Sequence, residues 1–143
     1  MTRRDQYPHF APLTAAVSVL AARPDVTLAY VFGSTARGER RADSDIDIAV
    51  LFDVQPSATE QLALRDALCA AAQIPVDLVV LNDASPLLAH EVISEGRALL
   101  VTETAAQALF EMRAIAFYLD TAHLRNVQLD YLRERVKART HAG

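Results

Sequence analysis

Aspartate side chains are concentrated in the segment FGSTARGERRADSDIDIAVLF, residues 32–52. Asp45 and Asp47 alternate along a stretch of strand-forming residues, so both side chains project from the same face, about 6–7 Å apart along the chain. Asp43 lies just before them. Like charges at this spacing repel each other, so the group is typical of a site that holds a cation or performs a chemical step.

A further acid, Asp77, lies in the apolar stretch VDLVVL, residues 76–81. If its strand lies beside that of Asp45 and Asp47, three carboxylates can reach one site. Oxygen ligands of this kind suit hard cations such as Mg²⁺ or Mn²⁺. A pair of these ions can clamp an in-line displacement at phosphorus, so phosphoryl-type transfer is the chemistry that the acids indicate.

Residues that could hold phosphate oxygens stand before the acids. Gly33 permits close approach of the backbone, and the Ser34 hydroxyl, nearby N–H groups and the positive end of a short helix can face phosphate. Arg37, Arg40 and Arg41 follow closely. Taken alone, the segment is more typical of a strand-to-helix turn with solvated arginines.

The elements that must position these residues follow from periodicity and from helix-capping signals. Helices are predicted at 12–22, 34–40, from about 57 to 73, 85–96 and from about 104 to 139. Strands are predicted at 26–32, 45–52, 76–81 and 97–102. The last helical stretch is either one helix or two with a break near 120–123, and Leu109, Met112, Ala116 and Leu119 mark its apolar stripe.

These elements predict a small α/β (α+β) fold, a mixed sheet with flanking helices and a C-terminal helical tail. With 143 residues, of which 52% are hydrophobic, the chain is the size of one domain that can bury a core. We expect a single domain over residues 1–143, with its core at about 26–103. No apolar run reaches about eighteen residues and no signal peptide is recognisable, so a cytoplasmic protein without a membrane partner is expected.

Composition excludes several other classes of protein. The net charge of −4 argues against direct binding to nucleic acid. Lys137 is the only lysine and lies near the C-terminus, so a P-loop ending in glycine and lysine is absent. The four glycines do not form a GxGxxG motif, and the single cysteine, Cys69, excludes an internal disulfide and a cysteine zinc site.

Gly33-Ser34, ten intervening residues and Asp45-Ile46-Asp47 resemble the signature of the nucleotidyltransferases of the DNA polymerase β superfamily. Asp77 matches their third acid. Over about residues 26–120 the chain is also similar to the minimal nucleotidyltransferase (MNT) antitoxins that are encoded with HEPN-domain ribonuclease toxins.

The resemblance implies roles for individual residues. By similarity, Gly33 and Ser34 position the nucleotide phosphates, and Asp45 and Asp47 bind the metal ions. Asp77 binds the second ion or takes the proton from the attacking hydroxyl. The implied reaction is transfer of AMP from ATP to a tyrosine of the partner HEPN toxin, with two Mg²⁺ ions, or Mn²⁺, as cofactors.

Arg37 is a weaker candidate for phosphate contact, and two other functions remain open for the chain. One is a nucleotidyltransferase with a small-molecule acceptor, although those relatives carry an additional substrate-binding domain. The other is an antitoxin that masks the toxin by binding alone.

The histidine and aromatic side chains of the helices fit simpler roles. No carboxylate or nucleophile is patterned with His90, so a surface or core position is expected. Phe110, Phe117, Tyr118 and Tyr131 are expected to pack in the core or against a partner rather than to stack on a nucleotide.

Overall fold

A computed structural model of the protein describes residues 10–39 and 44–141. Its helices are α1 (Ala11–Ala21), α2 (Gly33–Ala36), α3 (Ala58–Ala72), α4 (Pro86–Glu95), α5 (Thr104–Asp120) and α6 (Ala122–His141). Its strands are β1 (Val26–Phe32), β2 (Ile46–Phe52), β3 (Val76–Val80) and β4 (Arg97–Val101). A 3₁₀ turn, Leu81–Asp83, follows β3. Arg40, Arg41 and Asp43, which the sequence singled out, lie outside the described residues.

The four strands form a mixed sheet in the order β3-β2-β1-β4. β1 pairs antiparallel with β2 and with β4, whereas β2 and β3 are parallel. The expectation of a mixed sheet with flanking helices is therefore confirmed. The parallel pairing of β2 and β3 requires a crossover connection, and α3 supplies it.

Alternation along β2 divides the core into two layers. Ile46, Ile48, Val50 and Phe52 point to the side where buried leucines of α1 and α3 pack. Ala49, on the other face, packs in a second cluster with side chains of β1 and α4. Both faces of the sheet are covered by helices. Asp47 projects from the same face as Ala49, so it lies at the edge of the layer between the sheet and α4.

Capping residues set the limits of two helices as predicted. The Ser57 hydroxyl accepts a hydrogen bond from the Glu60 backbone N–H at 3.1 Å at the start of α3. The Ser85 hydroxyl accepts one from the Leu88 N–H at 3.2 Å at the start of α4. These bonds satisfy N–H groups that have no partner within the helix, so the sequence signal has a direct physical cause.

The structure corrects the predictions in two places. β2 begins at Ile46, so Asp45 precedes the strand, and the helix expected at 34–40 is a single turn, Gly33–Ala36. The C-terminal helical stretch is two helices that meet at Thr121, so the second of the two predicted alternatives is confirmed.

The apolar stripe of α5 is the largest departure from expectation. Leu109, Met112 and Leu119 are 43%, 62% and 65% exposed, and the buried residue of this helix is Ala114. The stripe correctly identified a helix, but it does not face the sheet. Within residues 10–39 and 44–141, no helix has the length and the apolarity needed to span a membrane.

Candidate active site

Asp47 and Asp77 are brought together by the parallel pairing of their strands. They are direct partners in the register of β2 and β3. Paired residues on neighbouring strands project to the same face, and the strands lie about 4.8 Å apart. Asp47 is half-buried and Asp77 is exposed. Two carboxylates separated by 29 residues of sequence are therefore neighbours at one edge of the sheet.

Asp45 stands just before β2, two residues from Asp47, and is exposed. Its position at the end of the strand gives its side chain more freedom than that of Asp47, which is held between β1 and β3. Burial raises the pKa of Asp47, and the negative charges of Asp77 and Asp45 raise it further. The three acids therefore interact electrostatically.

Gly33 makes room for the Asp47 carboxylate. Phe32, the last residue of β1, is the register partner of Asp47, so the chain turns beside that side chain. Gly33 has a φ of +69°, and a Cβ at this position would lie 2.3 Å from Asp47 Oδ2. Only glycine satisfies both conditions without displacing the carboxylate.

The Ser34 segment forms a tight turn rather than an extended helix. α2 has four residues, and Glu39 N–H donates to the Ser34 carbonyl oxygen at 2.9 Å. Any phosphate contact would therefore come from individual N–H groups and the Ser34 hydroxyl, because so short a helix contributes little dipole. In the described part of the chain, the neighbouring Thr35 hydroxyl is buried without a hydrogen-bond partner.

Sequence reasoning missed the acids that α4 contributes. Glu91 also raises the pKa of Asp47 through its negative charge, so this helix faces the strand acids. Glu95 lies one turn further on and forms an ion pair with Arg37. The i, i+4 spacing places both glutamates on one face of a helix that was correctly predicted. Nothing in the sequence shows that this face lies over β2.

Arg37, the weaker phosphate candidate, is held by two carboxylates. Its Nε donates to Glu39 Oε2 at 3.1 Å, and its Nη1 donates to Glu95 Oε2 at 3.2 Å. The positive charge of Arg37 also lowers the pKa of Asp47, which opposes the effect of the acids. Arg37 thus lies within electrostatic reach of the site, although its hydrogen bonds run to glutamates.

Replacing Arg37 tests whether its charge assists nucleotide binding. If it contacts phosphate, Arg37→Gln should raise KM for ATP about five- to tenfold, roughly 1–1.4 kcal/mol, and leave kcat nearly unchanged. Steady-state kinetics measure this effect. Glu95→Gln is the control, because it removes the ion pair and retains the arginine. If both variants raise KM equally, the ion pair matters and the phosphate contact is refuted.

The acids have the chemistry required by a hard divalent cation. Asp45, Asp47 and Asp77 supply carboxylate oxygens only, and Gly33 leaves open the space beside Asp47 Oδ2. Among residues 10–39 and 44–141, no three acidic, histidine or cysteine side chains already converge as metal ligands. Asp45 and Asp77 are both exposed, so their carboxylates are accessible to a cation from solvent.

Comparison with known proteins identifies a family of nucleotidyltransferases to which this chain is similar. The polymerase beta nucleotidyltransferase family model matches residues 15–105. A protein adenylyltransferase MntA of Shewanella oneidensis is 32% identical over 120 residues, which cover 84% of this chain and 86% of that protein. A protein adenylyltransferase MntA of Thermococcus cleftensis is 39% identical over 83 residues, covering 58% of this chain and 84% of that protein.

Chains in solved toxin–antitoxin structures have folds similar to that of this chain. A chain in a toxin–antitoxin structure with AMP-PNP has a TM-score of 0.77 at 30% identity, covering 85% of this chain and 98% of that chain. A chain in the complex of a tri-AMPylated Shewanella oneidensis HEPN toxin with an MNT antitoxin has a TM-score of 0.72 at 28% identity, covering 85% and 96%. With its glycine-serine turn beside paired strand aspartates, the chain belongs to the polymerase beta nucleotidyltransferase family.

Proposed function

We propose that this chain is an antitoxin that transfers AMP from ATP to a tyrosine of a cognate HEPN ribonuclease toxin and thereby neutralises it. The observation that carries the proposal is the register pairing of Asp47 with Asp77 beside Gly33. The relatives named protein adenylyltransferase, and the structure of an antitoxin with an AMPylated HEPN toxin, support this acceptor. Because ATP is the donor and a ribonuclease the acceptor, we propose a cytoplasmic location.

The acids bind the metal ions, and the turn at Gly33 and Ser34 binds the phosphates. Asp45 and Asp47 hold the metal ions, and Asp77 holds the second ion or accepts a proton. The backbone at Gly33 approaches the triphosphate, and the Ser34 hydroxyl donates to a phosphate oxygen. Two Mg²⁺ ions, or Mn²⁺, when bound, neutralise phosphate charge and stabilise the in-line displacement.

The reaction forms one bond and breaks one. The tyrosine hydroxyl oxygen bonds to the α-phosphorus of ATP, and the bond from that phosphorus to the oxygen that bridges to the β-phosphate breaks. Pyrophosphate leaves with the bonding electrons. The phenolic proton passes to a base, for which Asp77 is the candidate on this chain because it is exposed next to Asp47.

The repulsion among the acids explains why a cation should be required. Burial and neighbouring negative charges raise the pKa of Asp47, so its ionised form is less stable than that of a free aspartate, and a bound cation would stabilise it. Chelation with EDTA should therefore reduce AMP transfer to background, and excess Mg²⁺ or Mn²⁺ should restore it. Full activity after chelation would contradict the assignment of the acids to metal.

The test of the proposed function is transfer of label from ATP to the toxin. The purified chain is incubated with Mg²⁺, α-labelled ATP and the co-expressed cognate HEPN toxin, and intact-mass and peptide mass spectrometry locate the label. We expect one or more AMP units on a toxin tyrosine and loss of ribonuclease activity.

Two outcomes would contradict this function. If the toxin is silenced and stays unlabelled, the chain acts by masking alone. If label appears on a small molecule and the toxin stays active, the acceptor is wrong although the nucleotidyltransferase site is right.

A further inference from the structure

Exposed hydrophobic side chains are concentrated on the last two helices. In the described residues, eleven of the fifteen large hydrophobic side chains that are exposed belong to α5 or α6. On α6 they are Leu124, Val127, Leu129, Tyr131, Leu132 and Val136, between 49% and 64% exposed. We call the surface formed by these six side chains the α6 face. A concentration of exposed apolar side chains on one helix is typical of a surface that binds another molecule.

α6 is attached to the rest of the protein mainly at its start. The Arg125 guanidinium lies 3.8 Å from the centre of the Tyr118 ring, and its Nη2 donates to the Tyr118 carbonyl oxygen at 2.7 Å. The His90 ring stacks on Tyr118 with centres 3.7 Å apart. This stack joins α4, α5 and α6, whereas the residues from 126 to 140 are all exposed.

The charge of α6 differs from that of the whole chain. The helix carries five basic and two acidic side chains, although the chain has a net charge of −4. At 100° per residue, Arg135 and Arg139 fall among the apolar side chains of the α6 face. Tyrosine and arginine surrounded by leucine and valine are typical of the centre of a protein interface.

We propose that the α6 face binds an apolar, acidic surface of the protein that carries the acceptor tyrosine. This inference rests on the proposed function for the identity of that partner, and it adds where the partner docks. A helix of this length extends about 30 Å, enough to cross an interface of ordinary size.

Charge and composition disfavour the other occupants. A symmetric dimer that packs α6 of one copy against α6 of another would bring two basic helices together, and the like charges would repel. Nucleic acid would pair with the arginines but would leave the apolar side chains uncovered. An acidic protein surface satisfies both the charged and the apolar parts of the α6 face.

The test compares two glutamate substitutions on α6 in the full-length protein. Leu132→Glu places a negative charge in the α6 face, whereas Asn126→Glu makes the same charge change about 120° around the helix. Both positions are exposed, so circular dichroism should show unchanged folding. Calorimetry with the cognate HEPN toxin should give at least a tenfold weaker Kd for Leu132→Glu and a Kd within twofold of the parent for Asn126→Glu. Tyr131→Ala, a second variant without added charge, should also weaken binding.

AMP transfer measured in the same proteins separates this inference from the proposed function. If the inference holds, Leu132→Glu raises KM for the toxin and leaves kcat at saturating toxin within twofold. Equal toxin binding by Leu132→Glu and Asn126→Glu, with transfer intact, would overturn the docking surface alone. If the parent chain transfers no AMP to the toxin but Leu132→Glu still weakens toxin binding, the proposed reaction is wrong and the docking surface is right. Sedimentation of the chain alone as a dimer that Leu132→Glu dissociates would assign the α6 face to self-association and overturn the proposal.

Discussion

Replacing Asp47 by asparagine is expected to abolish AMP transfer and, in the presence of a chelator, to raise the thermal stability of the protein. Activity should fall roughly 1,000-fold or more, about 4 kcal/mol of transition-state stabilisation, because the variant loses the carboxylate between the turn and Asp77. Single-turnover transfer of labelled AMP to the toxin measures this loss. Asp45→Asn should act in the same direction.

The stability gain follows from the sign of the pKa shift of Asp47. Burial, and then the charges of Asp77 and Asp45, raise this pKa above its ordinary value of 3.8. Ionisation therefore favours the unfolded state. The penalty is absent below the unfolded pKa, grows as the pH rises through the folded pKa and is complete above it. Asp47→Asn should accordingly raise Tm on the order of 2 °C at neutral pH in EDTA, and the difference should vanish below about pH 4.

Asp53→Asn is a matched control because Asp53 follows the opposite end of β2. Its carboxylate is exposed and accepts only from the Val54 N–H among the hydrogen bonds described, a bond that asparagine can also form. This variant should keep both activity and Tm. If Asp47→Asn transfers AMP at the parent rate, Asp47 is not part of the active site. If the Tm of this variant is lower than that of the parent, the Asp47 carboxylate stabilises the fold.

Gly33→Ala should cause a large loss of activity with only a modest loss of stability. The new Cβ would lie 2.3 Å from Asp47 Oδ2, so the carboxylate must move. Oδ2 is the far end of an adjustable side chain, so relief costs little folding energy but changes the position of the acid. We expect AMP transfer to fall about 100-fold, because small misplacements of reacting groups carry penalties of this size.

Gly38→Ala isolates the backbone contribution to this result. Gly38 has a φ of +73°, close to the +69° of Gly33, but its Cβ would meet none of the described atoms within 4 Å. Each variant should therefore lose about 1–2 kcal/mol of unfolding free energy from the left-handed backbone, measured by urea denaturation. Only Gly33→Ala should lose activity. Equal loss of activity in both variants would show that strain in the turn, rather than contact with Asp47, explains the glycine.

Most of the secondary structure could be predicted from local features of the sequence. Local signals are sufficient for this: Ser57 and Ser85 mark helix starts, apolar runs mark the strands, and the Gly33-Ser34 turn lies a fixed distance before the Asp45-Ile46-Asp47 segment. Each of these features depends on neighbours along the chain. The fold class follows from them, the family was identified by the resemblance of the glycine-serine and aspartate segment to the nucleotidyltransferase signature, and both are confirmed.

Long-range packing determines which residues come together. The register of β2 against β3 places Asp77 beside Asp47, and the packing of α4 brings Glu91 close enough to affect the same carboxylate. Strand order and helix placement arise from long-range packing, which has no fixed spacing in the sequence. The prediction that the apolar stripe of α5 packs in the core was wrong for the same reason. Hydrophobic periodicity identifies a helix, but the face that is buried depends on which other elements pack against the helix. Here Ala114 is buried and Phe110 packs against the second core cluster, whereas most of the other large side chains of α5 and α6 remain exposed.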